Sequence, residues 1–205
     1  MSLFIPTYFS PISQYGLIYQ SQGFTFELED NFQKQTYRNR CYIYGANGKQ
    51  LLNIPITHSK SDIKQKSKDI RIESGSRWQK QHYKSLKTAY NSSPFFEFYE
   101  DDLMFIFEKE YTFLQDLNLD SFQFINEALE LNLTYKTTKE YKENPHDDWR
   151  SLARVKSHPN CKSNTYVQVF DDKHGFLENL SILDLLFMEG PNSISFLEKV
   201  DVTLP

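Results

Sequence analysis

The chain of 205 residues carries a formal net charge of −4 and an aromatic share of 16%, with 17 Phe and 13 Tyr. That length suits one domain with a ring-rich core, and so mild a charge excludes a general nucleic-acid binder. Two cysteines, no apolar run near the roughly 20 residues of a membrane helix, and no basic-then-apolar leader in "MSLFIPTYFSP" point to a reduced, cytoplasmic protein without membrane insertion.

In chain order, Ser10-Pro11 reads as the N-cap and first residue of a short helix lined by Ile12, Tyr15 and Leu17/Ile18, with Gly23 as its stop. "FTFEL" (24–28) alternates Phe24, Phe26 and Leu28 onto one face, as a half-buried strand does. "CYIYGA" and "KQLLNIPI" flank Asn47-Gly48, the pair favoured in type I′ turns, so 41–56 reads as a β-hairpin. The polar stretch 57–69 reads as a loop or lid, and "IRIES" (70–74) as a further strand.

After Ser76 as N-cap, Trp78, His82, Leu86 and Tyr90 recur every four residues and form one stripe of a helix. A helix over 98–118 follows, with Leu103, Ile106, Phe107, Leu114 and Leu117 as its apolar face. Asp120 caps another helix to about Leu131. The charged stretch 141–164 reads as loop and "TYVQVF" (165–170) as a strand. Ser181 and Asp184 form a capping pattern before "LLFMEG", which Gly190-Pro191 ends. The class is α+β: an N-terminal antiparallel or mixed sheet with a β-hairpin, a helical middle and a C-terminal strand-helix pair. Residues 1–205 form a single domain, with 95–133 as a candidate helical subdomain.

Charge is unevenly spread. Nine Lys/Arg stand against three Asp/Glu between Lys60 and Lys87, while fourteen Asp/Glu stand against five Lys/Arg between Phe95 and Arg150. The first stretch could meet an anion and the second would repel it, although two solvated faces explain the pattern equally well. No Walker loop, G-x-G-x-x-G, G-x-S-x-G or H-E-x-x-H occurs, so the catalytic machines that such motifs announce are not visible, and many transferases carry none; the cofactor is unknown. His146-Asp147-Asp148 has metal-ligand atoms but no spaced partners, and no metal is assigned.

"PTYFSPISQYGLIYQS", "NRCYIYGANGKQLLNIPI", "WQKQHYKSLKTAYNSSPFF" and "LSILDLLFMEGP" occur in that order from about residue 5 to 193. Together they resemble the WbqC-like proteins. The family is associated with gene clusters for O-antigen and other surface polysaccharides. The resemblance therefore implies a bacterial, transferase-type step on a nucleotide-activated sugar or acyl donor. A non-enzymatic module that binds a nucleotide-sugar or a pathway enzyme is the competing reading. Ser10 departs from the family pattern, which commonly has Pro there, and 140–165 does not match its usual Gly-rich block.

Within "TYRNR", Arg40 offers a planar fork of donors suited to phosphate or carboxylate, and Asn39 both a donor and an acceptor. The matching family block retains this Asn-Arg pair, so Arg40 and Asn39, with Arg38 and the lysines of 60–68, are candidates to hold an anionic donor. Alternatively, the two arginines pair with Glu29, Asp30 or the acidic helices. His82 is either a satisfied core histidine or a general base. Asp30 would orient His82 or bind a sugar hydroxyl, and turn chemistry explains it too. Tyr8, Trp78 and Tyr90 are candidates to contact the substrate's rings, although such aromatics are more often core. Asp184 is expected to stabilise a helix N-terminus.

Overall fold

The computed structural model describes residues 1–21, 23–57, 65–156 and 160–203. Its elements run β1 (Ser2–Phe4), α1 (Ile12–Gln20), β2 (Phe24–Phe26), β3 (Arg40–Gly45), β4 (Gly48–Asn53), α2 (Trp78–Tyr90), α3 (Phe96–Glu108) and α4 (Leu114–Ala128). They continue as β5 (Tyr135–Thr137), β6 (Asn160–Lys162), α5 (Asp171–His174), α6 (Ile182–Glu189), α7 (Ser193–Leu197) and β7 (Asp201–Thr203). The α+β class stands.

The strands pair as three small sheets. β1, β2 and β5 form a parallel sheet, with Phe4 opposite Phe26 and Phe26 opposite Thr137. β3 and β4 are the expected antiparallel hairpin, and β6 pairs with β7. The alternation in "FTFEL" does its work at the parallel sheet. Phe24 and Phe26 point the same way and meet Phe122 of α4 at 5.7 and 5.3 Å between ring centres. Tyr135 closes the cluster at 5.5 Å from Phe122. Edge-to-face pairs of this kind add about 0.5–1.5 kcal/mol each beyond simple burial.

Several expected boundaries shift for identifiable reasons. The hairpin loop is Ala46-Asn47, since Gly45 pairs with Gly48 and positive φ falls on Gly48 (94°) and not on Asn47. That is the pattern of a type I turn followed by a positive-φ glycine, not a type I′ turn. At α1 the N-cap is Pro11, while Ser10 bonds the Thr7 hydroxyl at 2.7 Å; the helix ends at a Ser21 cap, before Gly23. Ser76 does not cap α2, and its hydroxyl donates to the Glu73 carbonyl instead.

The single helix expected over 98–118 is two, and Asp120 lies inside α4. The break involves the expected 70–74 strand, which forms isolated bridges on both sides, to 55–57 and to 112–114, in place of a named strand. Ile72 N–H donates to Thr112 O at 3.0 Å and Leu114 N–H to Ile70 O at 2.9 Å. The 70–72 and 112–114 segments thus satisfy each other as a short extended pair, which stops α3.

Residues 165–170 are not a strand. Their backbone partner is replaced by a side chain: the Gln168 amide accepts from Leu177 N–H at 2.8 Å and donates to Leu177 O at 3.1 Å. Ser181 caps α6 as expected, accepting from Leu183 N–H, and Gly190 ends it. Asp184 lies in the first turn of α6, as expected, and has a second task. Fully buried, it accepts from Tyr90 Oη and Tyr166 Oη, each at 2.6 Å, and from Gln168 Nε2 at 2.9 Å. Burial pushes its carboxyl above the usual range, and the three donors pull against that.

Candidate functional site

The carboxyl ends of β1 and β2 open onto a polar cavity of about 500 Å3. Ile5, one residue past β1, and Asp30, four past β2, reach it from the sheet. The far wall is the 147–154 segment, stitched to the sheet by Leu3 N–H to Asp147 O and Trp149 N–H to Leu3 O, both 2.9 Å. Tyr37 N–H donates to Ala153 O at 2.8 Å, which sets Arg154 beside the 36–38 turn. Three guanidiniums converge here: Arg38, Arg150 and Arg154.

Arg38 is the unusual one, at only 4% exposed. Its Nη2 donates to Asp30 Oδ2 in a buried ion pair. Its Nε and Nη1, and the other oxygen of Asp30, have no hydrogen-bond partner among the described residues. Burial draws the guanidinium below its ordinary pKa; Asp30 draws it back up, and Arg154 works in the same sense as burial. A buried charge costs several kcal/mol in desolvation unless its hydrogen-bonding capacity is used. Here a five-donor fork spends one donor on the described protein groups; Nε and Nη1 are themselves buried, and the residue borders a cavity wide enough for a ligand.

Arg150 is more fully satisfied. It bonds Asp148 at 2.8 and 2.7 Å and lies 3.7 Å from buried Glu27. Asp148 is lowered and Arg150 raised, chiefly by their shared hydrogen bonds.

Asn39 and Arg40 line a second cavity, of about 420 Å3, with Lys34, Asn53 and Glu73. Phe32 borders both cavities. Asn39 donates to Ile54 O at 3.0 Å, which leaves its Oδ1 unpaired, and Arg40 Nε is buried without a partner. The three expected anion-binding residues therefore divide, with Arg38 on one side of Phe32 and Asn39 and Arg40 on the other. Of the lysines in 60–68, Lys66 and Lys68 each bond Glu29 at 2.6 Å. Lys60 and Lys64, and most of the expected 57–69 lid, lie outside the described residues.

His82 belongs to the interior. It is 5% exposed, with Nδ1 3.1 Å from Tyr8 Oη and Nε2 3.2 Å from Asn53 O. A carbonyl only accepts, so Nε2 carries the proton and the Tyr8 hydroxyl donates to Nδ1. Burial pulls the imidazole down to about 4, against the bond to Asn53. The expected support of His82 by Asp30 is not made, because Asp30 is bound to Arg38. Trp78 packs edge-on against Tyr8 and His82, and Tyr90 donates to Asp184 while accepting from Tyr44 N–H at 3.0 Å. None of these four lines either cavity.

The WbqC-like protein family model matches residues 6–169, which include the Asp30, Arg38, Arg150 and Arg154 cluster and the Asn39-Arg40 corner. The chain belongs to that family. No curated protein and no solved structure matches it. Among the described residues, no group of three or more His, Cys, Asp or Glu is placed to hold a metal. The family segment also contains Glu27, Arg150 and Arg154, which sequence reasoning passed over, and Asp148, which it weighed only as a metal ligand. The one available signal was Arg150 and Arg154 at a four-residue spacing in a stretch read as loop.

Proposed function

We propose that this WbqC-like protein is a transferase of surface-polysaccharide synthesis that takes a nucleotide-activated sugar or acyl donor. Arg38, with Arg150 and Arg154, holds the donor's phosphates in the larger cavity. Asn39 and Arg40 orient the remainder across Phe32. The observation that carries this reading is the unspent donor capacity of buried Arg38. A diphosphate or carboxylate would supply the acceptors that the fork lacks, as charge-assisted, bidentate bonds. The place in polysaccharide synthesis rests on the family resemblance.

Asp30 then replaces His82 as the candidate base, since the residue borders the cavity and one of its oxygens is unbonded among the described residues. In this reading His82 sets the core and never meets substrate.

A second reading, a non-enzymatic module that binds the same ligand, is favoured by one observation. The buried imidazole of His82 is held neutral and away from both cavities. One experiment separates the two: incubation with diphosphate-linked sugars and candidate amine or hydroxyl acceptors, with nucleoside diphosphate release followed by chromatography. Release that Asp30→Asn abolishes in cooperatively folded protein supports the transferase. Saturable binding without release under every pairing supports the binding module.

A further inference from the structure

The surface formed by α3 and α4 has features that the anion site does not use. Two helices joined by a short connection lie antiparallel, as Lys109 bonded to Asp120 at one end and Tyr99 beside Glu130 at the other require. Between them runs a groove of about 650 Å3. Phe98 and Phe105 stand seven residues apart on one stripe of α3 and are 76% and 61% exposed. With Phe124 of α4 they give the groove an aromatic floor about 10 Å long, two helical turns. Two exposed rings on one helix face, lining a groove, mark a place where something can dock.

The rim determines what can dock. Asp101 and Asp102 edge the groove from α3, Glu127 from α4 and Glu130 from just past its end, and among the described residues no lysine or arginine lines it. A hydrophobic occupant with acidic or neutral flanks would bury these carboxylates against nothing. One with basic flanks would neutralise them. The chain demonstrates the chemistry at the groove's end: the Lys109 ammonium sits 5.5 Å from the centre of the Phe105 ring and bonds Asp120 at 2.6 Å.

We propose that the α3–α4 groove is a docking site for a basic amphipathic helix of a partner protein. Its apolar stripe, spaced i, i+3 or i+4, i+7, covers Phe98, Phe105 and Phe124, and its flanking Lys/Arg pair with the four rim carboxylates. The site is independent of the anion cavity, so neither stands or falls with the other.

The test is fluorescence anisotropy with a labelled helical peptide of leucines on one stripe and lysines on its flanks. A control peptide has the same leucines and glutamate flanks. The lysine peptide binds saturably, binding weakens with salt, and the control does not bind. Phe98→Ser with Phe105→Ser, both at exposed positions, weakens binding by about tenfold or more, the loss of one or two interface anchors. Equal binding of the two peptides, or binding untouched by the double substitution, overturns the proposal. So does sedimentation of the protein alone as a dimer that Phe105→Ser dissociates, because the occupant is then a second copy.

Discussion

Acidification from pH 7 to pH 4 should destabilise the fold through His82, and the size of that effect can be worked out. In the unfolded chain the imidazole titrates near 6.5. In the fold it is neutral down to about 4, because burial disfavours its charge. Between these values the unfolded chain binds the proton and the native protein does not, so stability falls as pH falls. It is fully present above about 6.5 and is lost progressively down to about 4. A gap of about 2.5 units is worth about 3 kcal/mol at most, at 1.36 kcal/mol per unit. The geometry gives the same sign, since protonating Nδ1 would turn a second donor toward the Tyr8 hydroxyl, which now donates to it.

The assay is urea unfolding of parent and His82→Gln at half-unit pH steps. The parent should lose stability through this window, and the difference between the two proteins should shrink by about 3 kcal/mol from pH 7 to pH 4. A constant difference across the window, or an imidazole titrating near 6.5 by NMR in the folded protein, would refute the burial argument. The latter result would restore His82 as a candidate base.

Other substitutions test the packing that supports the site. Asp184→Leu removes the only acceptor that Tyr90 and Tyr166 share, and at 1–3 kcal/mol per stranded buried donor it should cost about 3–5 kcal/mol. Equilibrium unfolding measures this, and a loss below about 1 kcal/mol would mean that the cluster re-forms around water. Gly190→Ala should cost about 2–4 kcal/mol, since its φ is +53° and the added methyl would sit 2.6 Å from the Phe95 ring. Gly16→Ala should cost about 1–3 kcal/mol by pressing α1 against Val200, 2.5 Å from the added carbon.

What the sequence made legible follows from what it encodes locally. The Trp78–His82–Leu86–Tyr90 stripe, the alternation of Phe24 and Phe26, and the Ser181 cap are periodic or adjacent signals, and each gives its element. The failures are long-range. The 70–74 segment looked like a strand and is bridged on both sides, to 55–57 just past the hairpin and to 112–114, a stretch that periodicity had assigned to a helix. Gln168 stands in for a strand with its own side chain, which no pattern of "TYVQVF" announces. The anion site divides in the same way. Arg38, Asn39 and Arg40 were visible as a cluster of donors. That Arg38 turns toward Asp30 and Arg154, while Arg40 lines the other cavity, depends on where 147–154 returns to the β1 edge. Neither the charge count nor the spacing carries that information.

The most direct measurement of the central claim is isothermal titration at low salt with inorganic pyrophosphate and a set of nucleoside-diphosphate sugars. Parent, Arg154→Ala and Arg150→Ala would be compared, each at a position less buried than Arg38. The account predicts that at least one diphosphate compound binds the parent. Each substitution should weaken it about tenfold or more, the worth of a charged hydrogen bond at 1.5–3 kcal/mol. Absence of binding by every diphosphate, or binding unchanged in both variants, would contradict an anion site at Arg38.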